Sequence, residues 1–195
     1  AQGDSAAVAV AVTIPPQAYF VSRIGGPAVT VETMMPASAD HETYEPSMAQ
    51  LRRLKDARLF FRIGHPAFVF ESNWLKKLLS ESGGAHLTVV DMFSPADFIT
   101  GDIHIWLSFN GGRTMAQSVV AELKKLAPAH TAQFEQNYND LLWEIELLET
   151  AAKSGLASRK RNSLIVYHPA WGYLCRELGI NQLAIENDGK EPSPM

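Results

Sequence analysis

Residues 128–155 read "PAHTAQFEQNYNDLLWEIELLETAAKSG". Phe134, Tyr138, Leu141, Leu142, Ile145 and Leu148 recur at spacings of three and four, with Glu, Gln and Asn between them. That is the pattern of a helix with one apolar face. At about 1.5 Å per residue such a rod is some 35–40 Å long, the size of a small domain. The chain on either side of it has a different texture.

Before the rod, strand and helix patterns alternate. "AVAVAVTI" (7–14) is a valine-rich strand, and Pro15 and Pro16 open a helix that Gly25 and Gly26 stop. "AVTVETMM" (28–35) is a second strand, and a loop then leads to a helix capped by Ser47. "RLFFRIG" (58–64) and "HLTVVDM" (86–92) are further strands; between them "HPAFVFES" reads as a loop and "NWLKKLLSES" as a helix. A further helix, "GGRTMAQSVVAELKKLAP", directly precedes the rod. This order predicts an α/β layout with a largely parallel sheet, which presents ligands outside the carboxyl ends of its strands. Glu42, His65 and His168 fall just there.

After the rod, a basic turn leads to the strand "SLIVY", the helix "AWGYLCRELG" and the short strand "QLAI". A lone strand, helix and strand bury too little surface for an independent domain. The expected division is therefore an N-terminal α/β lobe over 1–127, a linking helix over 128–157, and the start of a C-terminal lobe, cut short, over 158–195. An unfinished parallel sheet exposes an edge that invites pairing, so a domain-sharing homo-oligomer is also expected.

Composition narrows the function classes. The 195 residues are 46% hydrophobic, but no apolar run approaches the roughly 18 residues of a membrane span. A net charge of -4 and scattered basic groups such as "SRKRN" (158–162) argue against nucleic acid as a partner. The single cysteine, Cys175, excludes an internal disulfide and a cysteine-rich zinc finger, and in "YLCREL" it reads as a small buried helix residue. "AQGDSAAVAVAV" shows no secretory signal, though a short polar head is how a chain begins once such a signal has been removed.

Six histidines carry the possible chemistry: His41, His65, His86, His104, His130 and His168. None forms an HExxH pattern, and no phosphate loop, GxGxxG or GxSxG elbow is present. Any site must be assembled from distant parts of the chain. In "GDIHIWLSFN", Asp102 and Trp106 flank His104 at two residues on either side, so on an extended segment all three share a face. Asp102 can then orient the imidazole while Trp106 walls the pocket. His65 and His168 each open an "HPA" tripeptide at a strand exit. The alternative for each is a turn residue; His86 and His130 read as a strand cap and a solvated residue. His41 and Glu42 lie in the polar loop "ADHETYEP".

"TYEP" (43–46), "GDIHIWLS" (101–108), "VYHPAWGYL" (166–174) and "IENDGKEPSP" (185–194), in this order and with the rod between the second and third, resemble the periplasmic metal receptors of zinc and manganese ABC transporters. The resemblance covers nearly the whole chain. It implies two α/β lobes with mainly parallel sheets, joined by one long backbone helix, with a metal ion in the cleft held by histidines from both sides. His104 matches the family's "D-P-H-x-W-L" histidine, with Ile103 in place of proline, and His168 matches the ligand of the second lobe. The family's first ligand stands in "D-P-H-x-Y-E-P"; alignment on "TYEP" puts Glu42 at that histidine and His41 one place early. His65 is therefore the expected third imidazole, with Glu42 and His41 as alternatives. Asp102, Trp106 and Trp171 are expected to surround the ligands.

Three neutral imidazoles with water or a carboxylate suit Zn²⁺, whereas Mn²⁺ takes more oxygen ligands; zinc is ranked ahead of manganese. The resemblance implies a receptor, peripheral to the membrane in the periplasm or its extracytoplasmic equivalent after signal removal, that passes zinc to an ABC membrane permease. Competing readings are a manganese or iron receptor of the same family, a mononuclear zinc enzyme using three histidines and an open position, and a fragment that no longer binds metal.

Overall fold

The computed structural model describes residues 7–39, 43–81 and 86–186. Its main sheet has four parallel strands in the order β2-β1-β3-β4: β1 (Val8–Val12), β2 (Val29–Thr33), β3 (Leu59–Arg62) and β4 (Thr88–Asp91). The central strands are apolar on both faces. Val10, Ala11 and Val12 of β1 and Leu59, Phe60 and Phe61 of β3 are all buried, as expected where helices cover a parallel sheet on two sides.

The chain leaves β1 toward β2 through α1 (Pro15–Gly25), and returns across the sheet through α2 (Met48–Asp56) to β3. α3 (Val69–Glu81) then leads to β4. Right-handed crossovers put α1 on one face and α2 and α3 on the other. Consistent with this, α2 packs on α3, while α1 packs on α4 (Phe109–Leu126) and α5 (Thr131–Leu156). Reversal of the strand order at β1 and β3 opens a crevice at their carboxyl ends, the usual ligand position in such sheets.

That crevice has a buried polar floor. Gln17 of α1 accepts from the backbone N–H groups of Thr13 and Ile14 at 2.9 and 3.0 Å, which supplies the partners that strand exit and helix start leave over. Glu71 of α3 accepts from the Thr13 hydroxyl (2.7 Å) and from the N–H groups of Ile63 (2.7 Å) and Gly64 (2.8 Å). Burial pushes the Glu71 carboxyl above its ordinary range, against the pull of those three donors and of Arg62.

α3 begins at Val69, four residues before the expected start at Asn73. Val69 and Phe70 are weak helix formers, but Phe68, Phe70 and Glu71 are all buried, and that packing overrides weak propensity. Ser47 caps α2 and Ser108 caps α4, each accepting the N–H three residues on.

α5 has 26 residues and is about 39 Å long. Phe134, Leu141 and Ile145 are its buried stripe, which lies against α1 and α4. A 3-10 turn, Pro128–His130, leads into it. Beyond it, β5 (Ser163–Val166), α6 (Gly172–Leu178) and β6 (Asn181–Ala184) form a second βαβ unit with a two-stranded parallel sheet. Glu177 and Tyr173 hydrogen-bond α6 to the first lobe. Glu177 accepts from the N–H groups of Phe109 and Asn110 at 2.8 and 3.0 Å, satisfying the start of α4. The buried Tyr173 hydroxyl accepts from Ile99 N–H (2.7 Å) and donates to the Asp102 carbonyl (2.9 Å). Cys175 is buried and free, and among the described residues no helix is long and apolar enough to cross a membrane.

Candidate metal centre

Asp102 closes a tight turn after the positive-φ Gly101, and a short 3-10 helix, Ile105–Leu107, follows His104. The segment is therefore folded rather than extended. The Asp102 carboxylate turns back on His104, accepting from both its backbone N–H and its ring Nδ1 at 2.9 Å. Trp106 lies against the His104 ring, with centroids 5.2 Å apart. The His104 side chain is 17% exposed and Asp102 12%.

His168 comes from the second unit, just past β5. The parallel register pairs Val166 with Ala184, an offset of 18 residues, so two residues further on His168 stands beside Glu186. Its Nδ1 is 2.7 Å from the Glu186 carboxylate. A carboxylate at Nδ1 places the imidazole proton there and leaves the Nε2 lone pair free. Both histidines thus carry a carboxylate behind them, and their Nε2 atoms face each other at 3.3 Å, with ring planes at 81°. Two nitrogens each bound at 2.0–2.1 Å and at the tetrahedral angle would be about 3.3–3.4 Å apart. The pair has the separation of one edge of a zinc tetrahedron.

His65 is placed differently. It is buried, its Nδ1 accepts the Ala67 N–H at 3.0 Å, and its ring packs edge-on against Phe98 with centroids 4.4 Å apart. With Nδ1 an acceptor, the neutral ring carries its proton on Nε2, the reverse of His104 and His168. Among the described residues no group of three or more His, Cys, Asp or Glu side chains is gathered to hold a metal. The expected convergence of His65, His104 and His168 is therefore replaced by a pair, His104 and His168, with His65 turned to its own turn and to Phe98. His41 and Glu42 lie outside the described residues. The "TYEP" segment that follows them is pinned: Tyr44 donates to Gln50 at 3.0 Å and packs on Phe70.

The backbone N–H of Trp171 donates to Gln182 (2.6 Å), and Trp171 joins Trp106, Phe20, Ile145 and Leu148 in lining an apolar cleft of about 280 Å³ between α5 and the two lobes. The sequence reading missed Glu186 as the partner of His168, Tyr173 as the residue holding the Asp102 carbonyl, and Gly172 as the residue that leaves room for the Asp102 carboxylate. A Cβ at Gly172 would lie 2.5 Å from Asp102 Oδ2, so only glycine permits this approach.

The family model described as zinc-uptake complex component A, periplasmic, matches residues 10–195. The chain belongs to this family. A crystal structure of ZnuA superposes with a TM-score of 0.84 at 35% identity, covering 96% of this chain and 74% of that one. A deletion mutant of ZnuA with zinc bound gives 0.82 at 34% identity, covering 96% and 73%. The high-affinity zinc uptake system protein ZnuA of Bacillus subtilis is 21% identical over 95% of this chain and 63% of its own length. The zinc-binding lipoprotein AdcA of Streptococcus pneumoniae is 22% identical over 95% of this chain and 40% of its own. The chain thus spans less than two thirds of these two curated relatives. Its fold is that of the two-lobed α/β metal receptors, with mainly parallel sheets joined by a long helix. The family is one of transport receptors and not of enzymes, so the three-histidine zinc enzyme is set aside.

Proposed function

We propose that this chain is the zinc-capturing part of an extracytoplasmic receptor that holds Zn²⁺ between its lobes and passes it to an ABC permease. The observation that carries the reading is the 3.3 Å separation of two carboxylate-backed Nε2 atoms, one from each side of the long helix. Neutral imidazole nitrogens at that spacing suit zinc, and they favour it over manganese, which takes oxygen ligands. Zinc is cargo here, so the site has to bind and also let go. The lobes divide at α5, with 1–127 and 158–195 on either side. By sequence position His41 or Glu42, just before the pinned Tyr44, is the proposed source of a third ligand, and water can complete the shell. The family description, periplasmic zinc-uptake component, supports both the location and the permease partner.

Calorimetric titration of this chain with Zn²⁺ and Mn²⁺ tests the reading. Saturable binding of one zinc per chain, tighter than manganese, is expected; absence of saturable zinc binding overturns it.

A further inference from the structure

Glu186 takes no part in the chain's packing core, yet its side chain is only 11% exposed, while the His168 side chain in front of it is 50% exposed. The two halves of the histidine pair are unequally held. On the first lobe, Asp102 grips His104 at both its backbone N–H and its ring, Trp106 covers the ring, and the Tyr173 hydroxyl holds the Asp102 carbonyl in turn. On the second lobe, His168 projects from a two-stranded sheet whose outer residues, Ile165 and Leu183, are 70% and 51% exposed. Its ring makes two contacts among the described residues: Nδ1 with Glu186 and Nε2 with His104.

We propose that Glu186 is the positioning residue of the second-lobe ligand: it holds His168 in the Nδ1–H tautomer and aims Nε2 at the cargo ion, and so sets how long zinc stays. The role of His168 as ligand rests on the receptor reading above; its tautomer does not. A free imidazole at a half-exposed position rotates about two side-chain bonds and exchanges tautomers, and each wrong rotamer or tautomer withdraws the lone pair from the site. A carboxylate at 2.7 Å removes both freedoms. Glu186 can do so because the backbone there is fixed by ladder bonds, with Ile185 N–H donating to Val166 O (2.9 Å) and Glu186 N–H donating to Tyr167 O (3.0 Å).

The test uses the unaltered chain with Glu186→Ala and Glu186→Gln, the second preserving shape without charge. In the metal-free, ¹⁵N-labelled protein, long-range proton–nitrogen correlation is expected to show His168 with its proton on Nδ1, and a shift of population to Nε2–H in Glu186→Ala. With zinc loaded, rapid mixing with excess chelator is expected to show release about 10–100-fold faster in Glu186→Ala, and an intermediate rate in Glu186→Gln. His168 carrying its proton on Nε2 in the unaltered chain, or a release rate unchanged by Glu186→Ala, overturns the proposal. If the unaltered chain binds no zinc, the receptor reading falls and the tautomer measurement alone decides on Glu186. If zinc binds and Glu186→Ala changes neither readout, only the assignment of Glu186 falls.

Discussion

Tyr173 donates its hydroxyl hydrogen to the Asp102 carbonyl at 2.9 Å, and the same Asp102 holds His104 through its carboxylate. One residue of α6, in the second unit, therefore fixes the residue that orients a histidine of the first. Burial pushes the Tyr173 hydroxyl above its ordinary range, so it stays a neutral donor across the physiological span. The histidine pair is assembled by the packing between the units.

His104→Ala and His168→Ala should each weaken zinc binding by more than the roughly 10–100-fold that loss of an orienting partner costs. Their effects should be strongly non-additive, because either loss dissolves the same two-nitrogen edge. Competition titration against a chelator measures both. A double variant weaker than the unaltered chain by the full product of the two single effects would mean that the two rings act independently.

His65 offers the opposite expectation. Its Nδ1 already accepts the Ala67 N–H and its buried ring packs on Phe98, so His65→Ala should lower the unfolding temperature while changing zinc affinity less than about tenfold. His41→Ala or Glu42→Gln should do the reverse. Calorimetry and thermal melts on the three variants separate these outcomes, and a large loss of zinc affinity in His65→Ala would return the third ligand to the β3 exit.

The Glu71 carboxyl provides a pH signature of the crevice floor. Its folded pKa is raised above the ordinary value of 4.5, chiefly by burial, so between the two values the folded chain binds more protons than the unfolded one. Stability contributed by this group is present below about 4.5 and is lost as pH rises through the folded value. The difference in unfolding free energy between the unaltered chain and Glu71→Gln should therefore fall as pH is raised. Urea denaturation of both at about pH 4.5 and about pH 8 checks it; a difference that grows with pH would show that the three donors, not burial, dominate.

What the sequence made legible, and what it did not, follows the range of the interactions involved. The valine-rich strands and the three-and-four spacing of Phe134, Leu141 and Ile145 are local patterns, and they lead directly to the parallel sheet and α5. Asp102 and His104 are two residues apart, so their pairing is visible too, although a turn rather than an extended segment brings it about. The two "HPA" tripeptides show where local reading stops. At 65–67 the alanine N–H donates to the histidine ring, whereas at 168–170 it donates to the histidine carbonyl, leaving the ring for Glu186. The same three letters present opposite faces because the partner of the second lies 18 residues away across a parallel pair. Only the strand register exposes it.

Gly172→Ala carries that argument to a residue with no chemistry of its own. The added methyl would stand 2.5 Å from Asp102 Oδ2, a separation that van der Waals contact does not allow, so either α6 or the carboxylate has to move. Glu177 and Tyr173 anchor α6 by four hydrogen bonds, to Phe109, Asn110, Ile99 and Asp102, so the carboxylate is the softer partner and should rotate away from His104 Nδ1. Zinc affinity is then expected to drop about 10–100-fold, as for removal of the orienting group itself. The expected spectroscopic mark is a His104 ring that populates the Nε2–H tautomer in the metal-free protein while His168 remains Nδ1–H. Unchanged affinity together with an unchanged His104 tautomer would mean that α6 yields instead, and that its anchoring to the first lobe is weaker than these four bonds indicate.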